Sequence, residues 1–508
     1  MRGAKKLPPS EDGASARHRA PHHRRADTPS SGTSSGVLSG APSGKTASAG
    51  AIAVLRAVMP WIVLAVTLLG GIGYMAVTAP GHIPDVWSHV YRVDGILNGD
   101  VLARPVQAMS RLHGGDGSGN VGGRVDWQWI EYSETHYDGY DPNAVLVDTI
   151  TASDDAGADV PYNNTATNTP AVYLPQLTGF AVGKALGLDA GITYHLAEAI
   201  MLVVYAACTA GAVALLPRWR ILVGLVMLCP LVTHRYSFAI SADSLTQALA
   251  FLLSCMVFRT MCRRVGKGYC AALAGVCLML AMCKLTYAPL MLLALAVPWL
   301  QRGVGVSPFG ASPSGASPSA AVPVWRDPRL WIGVAGNAVS AAWLMFWMSV
   351  TGWFVTTPML VPYEEMIARR HALLADPATM IAVVKAIALS IVTGRSNMGN
   401  RPDSVVIRCC WIAIAGMAIV LAAATARRVL RPVHAAFWWF AAVLIVGIML
   451  LTYLALWLQY TPAESPMIDG MQHRYFLPLA VLGVLCGAEA VSALRRPAMP
   501  QRSPAPAR

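Results

Sequence analysis

The stretch Ala57-Val-Met-Pro-Trp-Ile-Val-Leu-Ala-Val-Thr-Leu-Leu-Gly-Gly-Ile-Gly-Tyr-Met-Ala-Val77 carries no charged side chain, and Pro84-Asp-Val-Trp-Ser-His-Val-Tyr-Arg92 follows closely behind it. As a helix the first stretch is about 30 Å long, the thickness of a bilayer's hydrocarbon core. It is too long and too far from the start of the chain for a signal-peptide core, so it reads as an uncleaved anchor. Just beyond it, Asp85, His89 and Arg92 are spaced so that a helix would carry all three on one face. An acid, an imidazole and a guanidinium at a membrane boundary form a candidate reaction centre. The plainer reading is a polar helix start resting on headgroups, with Trp87 and Tyr91 as interfacial anchors.

The rest of the 508-residue chain agrees with a membrane setting: 55% of residues are hydrophobic and 13% charged, against about 25% charged in soluble proteins. The formal net charge of +12 does not indicate nucleic acid, because the basic residues form short clusters beside apolar spans rather than one patch. The ten cysteines lie in or next to apolar segments and show no metal-type spacing, so they read as small packing residues. No metal site is indicated by the residue pattern.

Residues 1–50 are rich in Ser, Gly, Pro, Arg and His and read as a disordered basic tail that keeps the N-terminus in the cytoplasm. The transmembrane domain then covers 51–494, and 495–508 is a second basic tail. Residues 78–189 form an acidic extracytoplasmic loop. Its middle, Gly114-Gly-Asp-Gly-Ser-Gly119, suggests mobility, and its end, Pro170–Lys184, suggests an interfacial helix rather than a crossing. Counting Arg and Lys clusters as cytoplasmic gives spans at 57–77, 191–216, 221–233, 244–262, 330–350, 407–426, 435–458 and 476–494. The stretch 269–300, about 48 Å as one helix, is too long for a single crossing. It is resolved as two short spans meeting at Lys284. A cytoplasmic linker (301–328, with repeated Gly-Ala-Ser-Pro-Ser) and a second outer loop (351–404, with an apolar helix near 380–392) complete the plan. The expectation is an all-α polytopic membrane protein of about ten spans, with both termini cytoplasmic and in contact with the lipid bilayer.

On this topology the polar residues at span ends gather on the outer side. They are Asp85 and His89, His195 and Glu198, Arg235 and Asp243, Lys284, Arg395, and Gln472 to Tyr475. Ionisable groups at membrane depth point by default to function, although His195–Glu198 fits a structural pair one turn apart. Lys284 and Arg474 suit an anion at the lipid boundary. The chemistry such parts support is glycosyl transfer from a lipid-linked phosphosugar. Cations hold the phosphate and stabilise the leaving group, while a carboxylate, at Asp85, takes a proton from the acceptor or holds a divalent ion that does the equivalent. A non-catalytic flippase or export component for lipid-linked polysaccharide is the alternative.

The ordered set Pro84-Asp85-x-x-x-His89, Tyr173-Leu-Pro-Gln176, Ser241-Ala-Asp243, Lys284, Gly394-Arg395 and Gln472-x-Arg474-Tyr-Phe-Leu-Pro478 resembles bacterial membrane proteins grouped as domain of unknown function 2142. That family looks like a branch of the GT-C glycosyltransferase superfamily. The resemblance implies a GT-C-like fold, an acid of the first outer loop as catalytic residue, a polyprenyl-phosphate-linked sugar as donor, and an acceptor glycan or lipid in the bacterial cell envelope. Carried onto this chain it points to Asp85 and His89 as catalytic residues. Lys284, Arg395, Arg474, Gln472, Tyr173 and Asp243 would bind the substrate. The family usually has a second acid directly after the first, and here that position is Val86. A proton-transfer role for Asp85 is therefore easier to support than a divalent-metal site.

Overall fold

The computed structural model describes residues 44–113, 119–233, 236–302, 304, 323–352, 361–394 and 401–495. Most of the expected basic tails, most of the 301–328 linker and residues 114–118 of the glycine run lie outside them. The chain divides into two units, Met1–Ala51 and Ile52–Arg508. Of the first, only the opening residues of helix α1 are described.

The described helices are α1 (Gly44–Val77), α2 (Val86–Leu97), α3 (Trp127–Thr135), α4 (Leu174–Leu186), α5 (Ala190–Leu215), α6 (Arg220–Met227), α7 (Pro230–Thr233) and α8 (Ala242–Cys262). They continue with α9 (Lys267–Cys283), α10 (Val297–Arg302), α11 (Pro328–Thr351), α12 (Tyr363–Ala375), α13 (Pro377–Thr393), α14 (Arg401–Ala426), α15 (Pro432–Gln459) and α16 (Ala480–Leu494). A 3₁₀ segment, Leu285–Ala296, links α9 to α10.

Among the described residues seven helices are long and apolar enough to cross a bilayer, in the regions of α1, α5, α8, α11, α14, α15 and α16. The protein is thus a mostly helical, polytopic membrane protein. The other expected crossings fall on shorter elements. Residues 221–233 are split between α6 and α7. The 269–300 stretch breaks at Lys284, whose backbone is extended (φ −137°, ψ 120°). On one side lies α9, about 25 Å long, and on the other the 3₁₀ segment, about 24 Å long because its rise per residue is larger. The apolar helix near 380–392 is α13, bent by 106° from α12.

Helix α8 is the most enclosed span, with 83% of its apolar window buried, while α1 and α14 have only 17% buried and turn most of their side chains to lipid. Its small residues, among them Ala242, Ser244, Ala248, Ala250 and Ser254, let neighbours approach closely. Thr246 and Ser254 return their hydroxyls to carbonyls one turn back, so neither hydroxyl is left without an acceptor.

Ion pairs fix the level of the span ends. Arg218 pairs with Glu489, Trp219 Nε1 donates to the same carboxylate at 2.6 Å, and an Arg259 guanidinium N–H donates to the Leu215 carbonyl at 3.1 Å. The ends of α5, α8 and α16 therefore share one level. The starts of α8 and α16 lie at the other, beside the large polar insertion, residues 78–189.

That insertion is not purely helical. Strands β1 (Arg104–Pro105), β2 (Val121–Asp126) and β3 (Gly157–Pro161) form an antiparallel sheet in the order β1-β2-β3. A Cβ at Gly122 would stand 1.8 Å from the Val160 carbonyl oxygen. The absence of a side chain at Gly122 is what lets the two backbones meet. Helix α4, about 20 Å long and too short to cross, lies along α5. Its Gly179 faces Ala197, whose Cα would be 2.6 Å from an added Cβ.

Gly179→Val is expected to destabilise the α4–α5 contact by about 1–3 kcal/mol. The expected outcome is a lower melting temperature in detergent, while Gly211→Ala on α5, where a Cβ meets nothing within 4 Å, serves as a control that does not lower it.

Candidate functional site

Helix α2 begins at Asp85, which holds a left-handed backbone (φ 63°, ψ 16°) and makes no side-chain cap to its own helix. Ten of its residues, Val86 to Gly95, are buried. The interfacial reading of this stretch is therefore corrected. Trp87 and Tyr91 are 1% and 0% exposed, inside the insertion rather than on headgroups. Arg92 also departs from the shared face. It is 0% exposed and donates to the backbone carbonyls of Asp100, Val101 and Asn168 at 2.9, 2.7 and 3.1 Å. It braces the insertion.

Asp85 itself faces the bundle. Its Oδ2 accepts from an Arg474 guanidinium N–H at 2.7 Å, across 389 residues of sequence. Its Oδ1 accepts from the amides of Asn143 and Asn164 at 3.3 and 3.2 Å. The other arm of Arg474 stands 3.5 Å from Asp243, and Lys284 Nζ donates to the opposite oxygen of Asp243. The four form one alternating chain, Asp85–Arg474–Asp243–Lys284. Two negative and two positive charges balance. Tyr475 supports the cations, its ring centroid lying 5.5 Å from the Arg474 guanidinium carbon and 5.9 Å from Lys284 Nζ. The Tyr287 hydroxyl donates to the Tyr475 carbonyl at 2.8 Å. Burial alone would raise the Asp85 carboxyl, but the charge and hydrogen bond of Arg474 outweigh it and hold the pKa below the ordinary carboxylate value.

His89 lies beneath this chain. The Asn168 amide donates to the Tyr173 hydroxyl at 2.8 Å, and that hydroxyl lies 2.6 Å from His89 Nδ1. On the other side of the ring, Nε2 stands 3.4 Å from Ser241 Oγ, so each imidazole nitrogen faces a hydroxyl. Burial drives the His89 pKa down to about 4 despite the nearby carboxylates. With a hydroxyl beside each nitrogen and the ring 6% exposed, His89 links α2 to the loop before α8 through Ser241. Gln176 holds that loop too, its amide donating to the carbonyls of Ala239 and Ser241 at 3.2 and 3.4 Å.

Of the sequence candidates, then, Asp85, Asp243, Lys284 and Arg474 meet directly, and His89 and Tyr173 adjoin them. Gln472 contributes its carbonyl, which accepts from Tyr475 N–H at 3.2 Å. His473 is held by Asp403. Arg395, like Arg235, lies outside the described residues. His195 and Glu198 pair with each other at 2.8 Å on α5.

With this geometry in view, comparison with known families is informative. Residues 68–483 match the family model described as "Predicted membrane protein (DUF2142)". The chain belongs to the DUF2142 family. Comparison with curated proteins and comparison with solved structures each find no match. The matched region of this DUF2142 protein holds all four members of the charge chain, and it also holds residues that sequence reasoning missed. Asn143 and Asn164 complete the coordination of Asp85, but each sits in a polar loop where an asparagine signals only a turn.

The low His89 pKa has a signed consequence. Between pH 6.5 and about 4 the unfolded chain binds a proton at this position and the folded chain does not, so stability falls as pH drops through that window. In melting curves of wild type and His89→Gln from pH 7.5 to 4, the wild type is expected to lose stability relative to the variant on acidification.

Proposed function

We propose that this DUF2142 protein is a membrane glycosyltransferase moving a sugar from a polyprenyl-phosphate donor to a cell-surface glycan or lipid. The reaction is assigned to the outer face of the bacterial cytoplasmic membrane, with both termini cytoplasmic. Arg and Lys clusters at 218–220, 259–267 and 427–431 support that orientation, since such clusters favour the cytoplasmic side.

One observation carries the reading: the chain Asp85–Arg474–Asp243–Lys284 joins a carboxylate of the polar insertion to cations at the ends of apolar spans. A donor with a lipid tail, a phosphate and a sugar presents the same sequence of environments. The charge balance suggests how binding and chemistry are linked. A phosphate that engages Arg474 and Lys284 competes with Asp85 and Asp243 for them. Asp85 then loses the cation that keeps its pKa low, and its proton affinity rises when substrate is present. The acceptor hydroxyl attacks the anomeric carbon, its proton passes to Asp85, the bond to the phosphate oxygen breaks, and polyprenyl phosphate departs with its charge held by the two cations. Asp243 keeps the cations in register, Tyr173 and His89 hold the loop before α8, and Gln472 borders the phosphate end.

Purified protein in lipid nanodiscs, given a labelled polyprenyl-phosphate sugar and an acceptor glycan, tests this. Asp85→Asn is expected to lower transfer by about 10²–10⁴-fold, and Lys284→Met to weaken donor binding. Transfer unaffected by Asp85→Asn would remove that residue from the chemistry. Lipid-linked glycan crossing the bilayer with no transfer would replace the enzyme by a carrier.

A further inference from the structure

Asp85 occupies the N-cap position of α2, where a carboxylate ordinarily folds over the first free N–H groups of its own helix. It does not do so here, because its left-handed backbone, φ 63° where caps are normally extended, turns the side chain away. The helix end is nonetheless capped. Asp141, from the far side of the insertion, accepts from Trp87 N–H, the second of α2, at 2.9 Å through Oδ2. Its Oδ1 accepts from the backbone and side-chain N–H groups of Asn143 at 3.1 and 2.7 Å. The same Asn143 amide reaches Asp85 Oδ1 at 3.3 Å. One amide therefore sets the spacing between the two carboxylates, and Asp141 is 2% exposed.

We infer that Asp141 is a positioning residue that caps α2 in place of Asp85, and that this exchange is what frees the Asp85 carboxylate to pair with Arg474. The positive end of a helix attracts carboxylates, and Asp85 is the one attached directly to it. Without a substitute cap, Asp85 would relax towards the extended backbone and satisfy Trp87 N–H itself, withdrawing from the charge chain. With Asp141 in place, Asp85 remains in an unfavourable backbone conformation, held by Arg474 and two asparagine amides. Such local strain persists only where the surroundings over-determine it. Burial, and then the charge on Asp85, push the Asp141 carboxyl up to about 6, which agrees with two acids sharing one corner.

The test reads the protein rather than its activity. Melting temperatures of the full chain in lipid nanodiscs are measured for Asp85→Asn, Arg474→Gln and the double variant, each in wild-type, Asp141→Asn, Asp141→Ala and Asp141→Ser backgrounds. In the wild type the two substitutions are expected to be non-additive, as for any directly paired groups. Asp141→Asn keeps an oxygen for Trp87 N–H and is expected to keep the non-additivity. Asp141→Ala removes the cap, and the two shifts are expected to become additive. If that variant does not fold, Asp141→Ser serves instead. Its hydroxyl can still bond Asn143 N–H in its own turn but is too short for Trp87.

Non-additivity of wild-type size in the Ala or Ser background would overturn the proposal, leaving Asp141 a support of its own loop. Loss of non-additivity in Asp141→Asn would overturn it too, since charge rather than capping would then be at work. None of these outcomes depends on sugar transfer, so failure here and failure of the glycosyltransferase reading are told apart.

Discussion

The structure depends on one alternation of charge, Asp85–Arg474–Asp243–Lys284, in which Arg474 and Asp243 are buried and Asp85 and Lys284 half-buried. An isolated ion away from water is costly, and removing one partner from a buried pair costs about 3–5 kcal/mol. Four charges in alternation avoid that cost only if four distant segments stay in place: the start of α2, the start of α8, the break after α9, and the turn before α16. The site is therefore also a fastener of the fold. An anionic ligand could enter it only by exchanging partners, which gives the site a reason to respond to occupancy.

Everything around the chain keeps those four segments at one level. At the opposite end of the spans, Glu489 gathers Arg218 and Trp219, and Arg259 closes onto the end of α5. Near the site, Thr169 donates to the Met282 carbonyl just before Lys284, and Trp347 donates to the Thr167 carbonyl at 2.7 Å. These bonds seat the end of the insertion on α9 and α11. The tight glycine contacts of α4 on α5 do the same for its last helix. Small, specific polar contacts fix the height of each span, while apolar packing around α8 supplies the bulk of the enclosure.

Much of the candidate site was legible because membrane residence makes charge conspicuous. A lysine in the middle of a 32-residue apolar stretch (269–300), or an arginine just before the last span, stands out against its surroundings. What could not be read is which charges neutralise which. Lys284 and Arg474 looked like cations waiting for an anion, and the fold pairs each with a carboxylate. His89 was a catalytic candidate by its spacing from Asp85, and only the fold shows it enclosed between Tyr173 and Ser241. Asp141, one acid among many in the insertion, had no local mark at all.

The sequence by itself determined membrane residence, the main spans, the break at Lys284 and the family, because hydrophobic length and sparse charge are properties of a linear chain. Only the tertiary structure decided that Trp87, Tyr91 and Arg92 are interior, that a glycine-bearing sheet stands inside the insertion, and that Asp85 belongs to Arg474 rather than to its own helix. Those facts depend on contacts between separate segments, from the 54 positions between Trp87 and Asp141 to the 389 between Asp85 and Arg474. No local propensity encodes them, because each is settled by which polar group finds a partner once water is excluded.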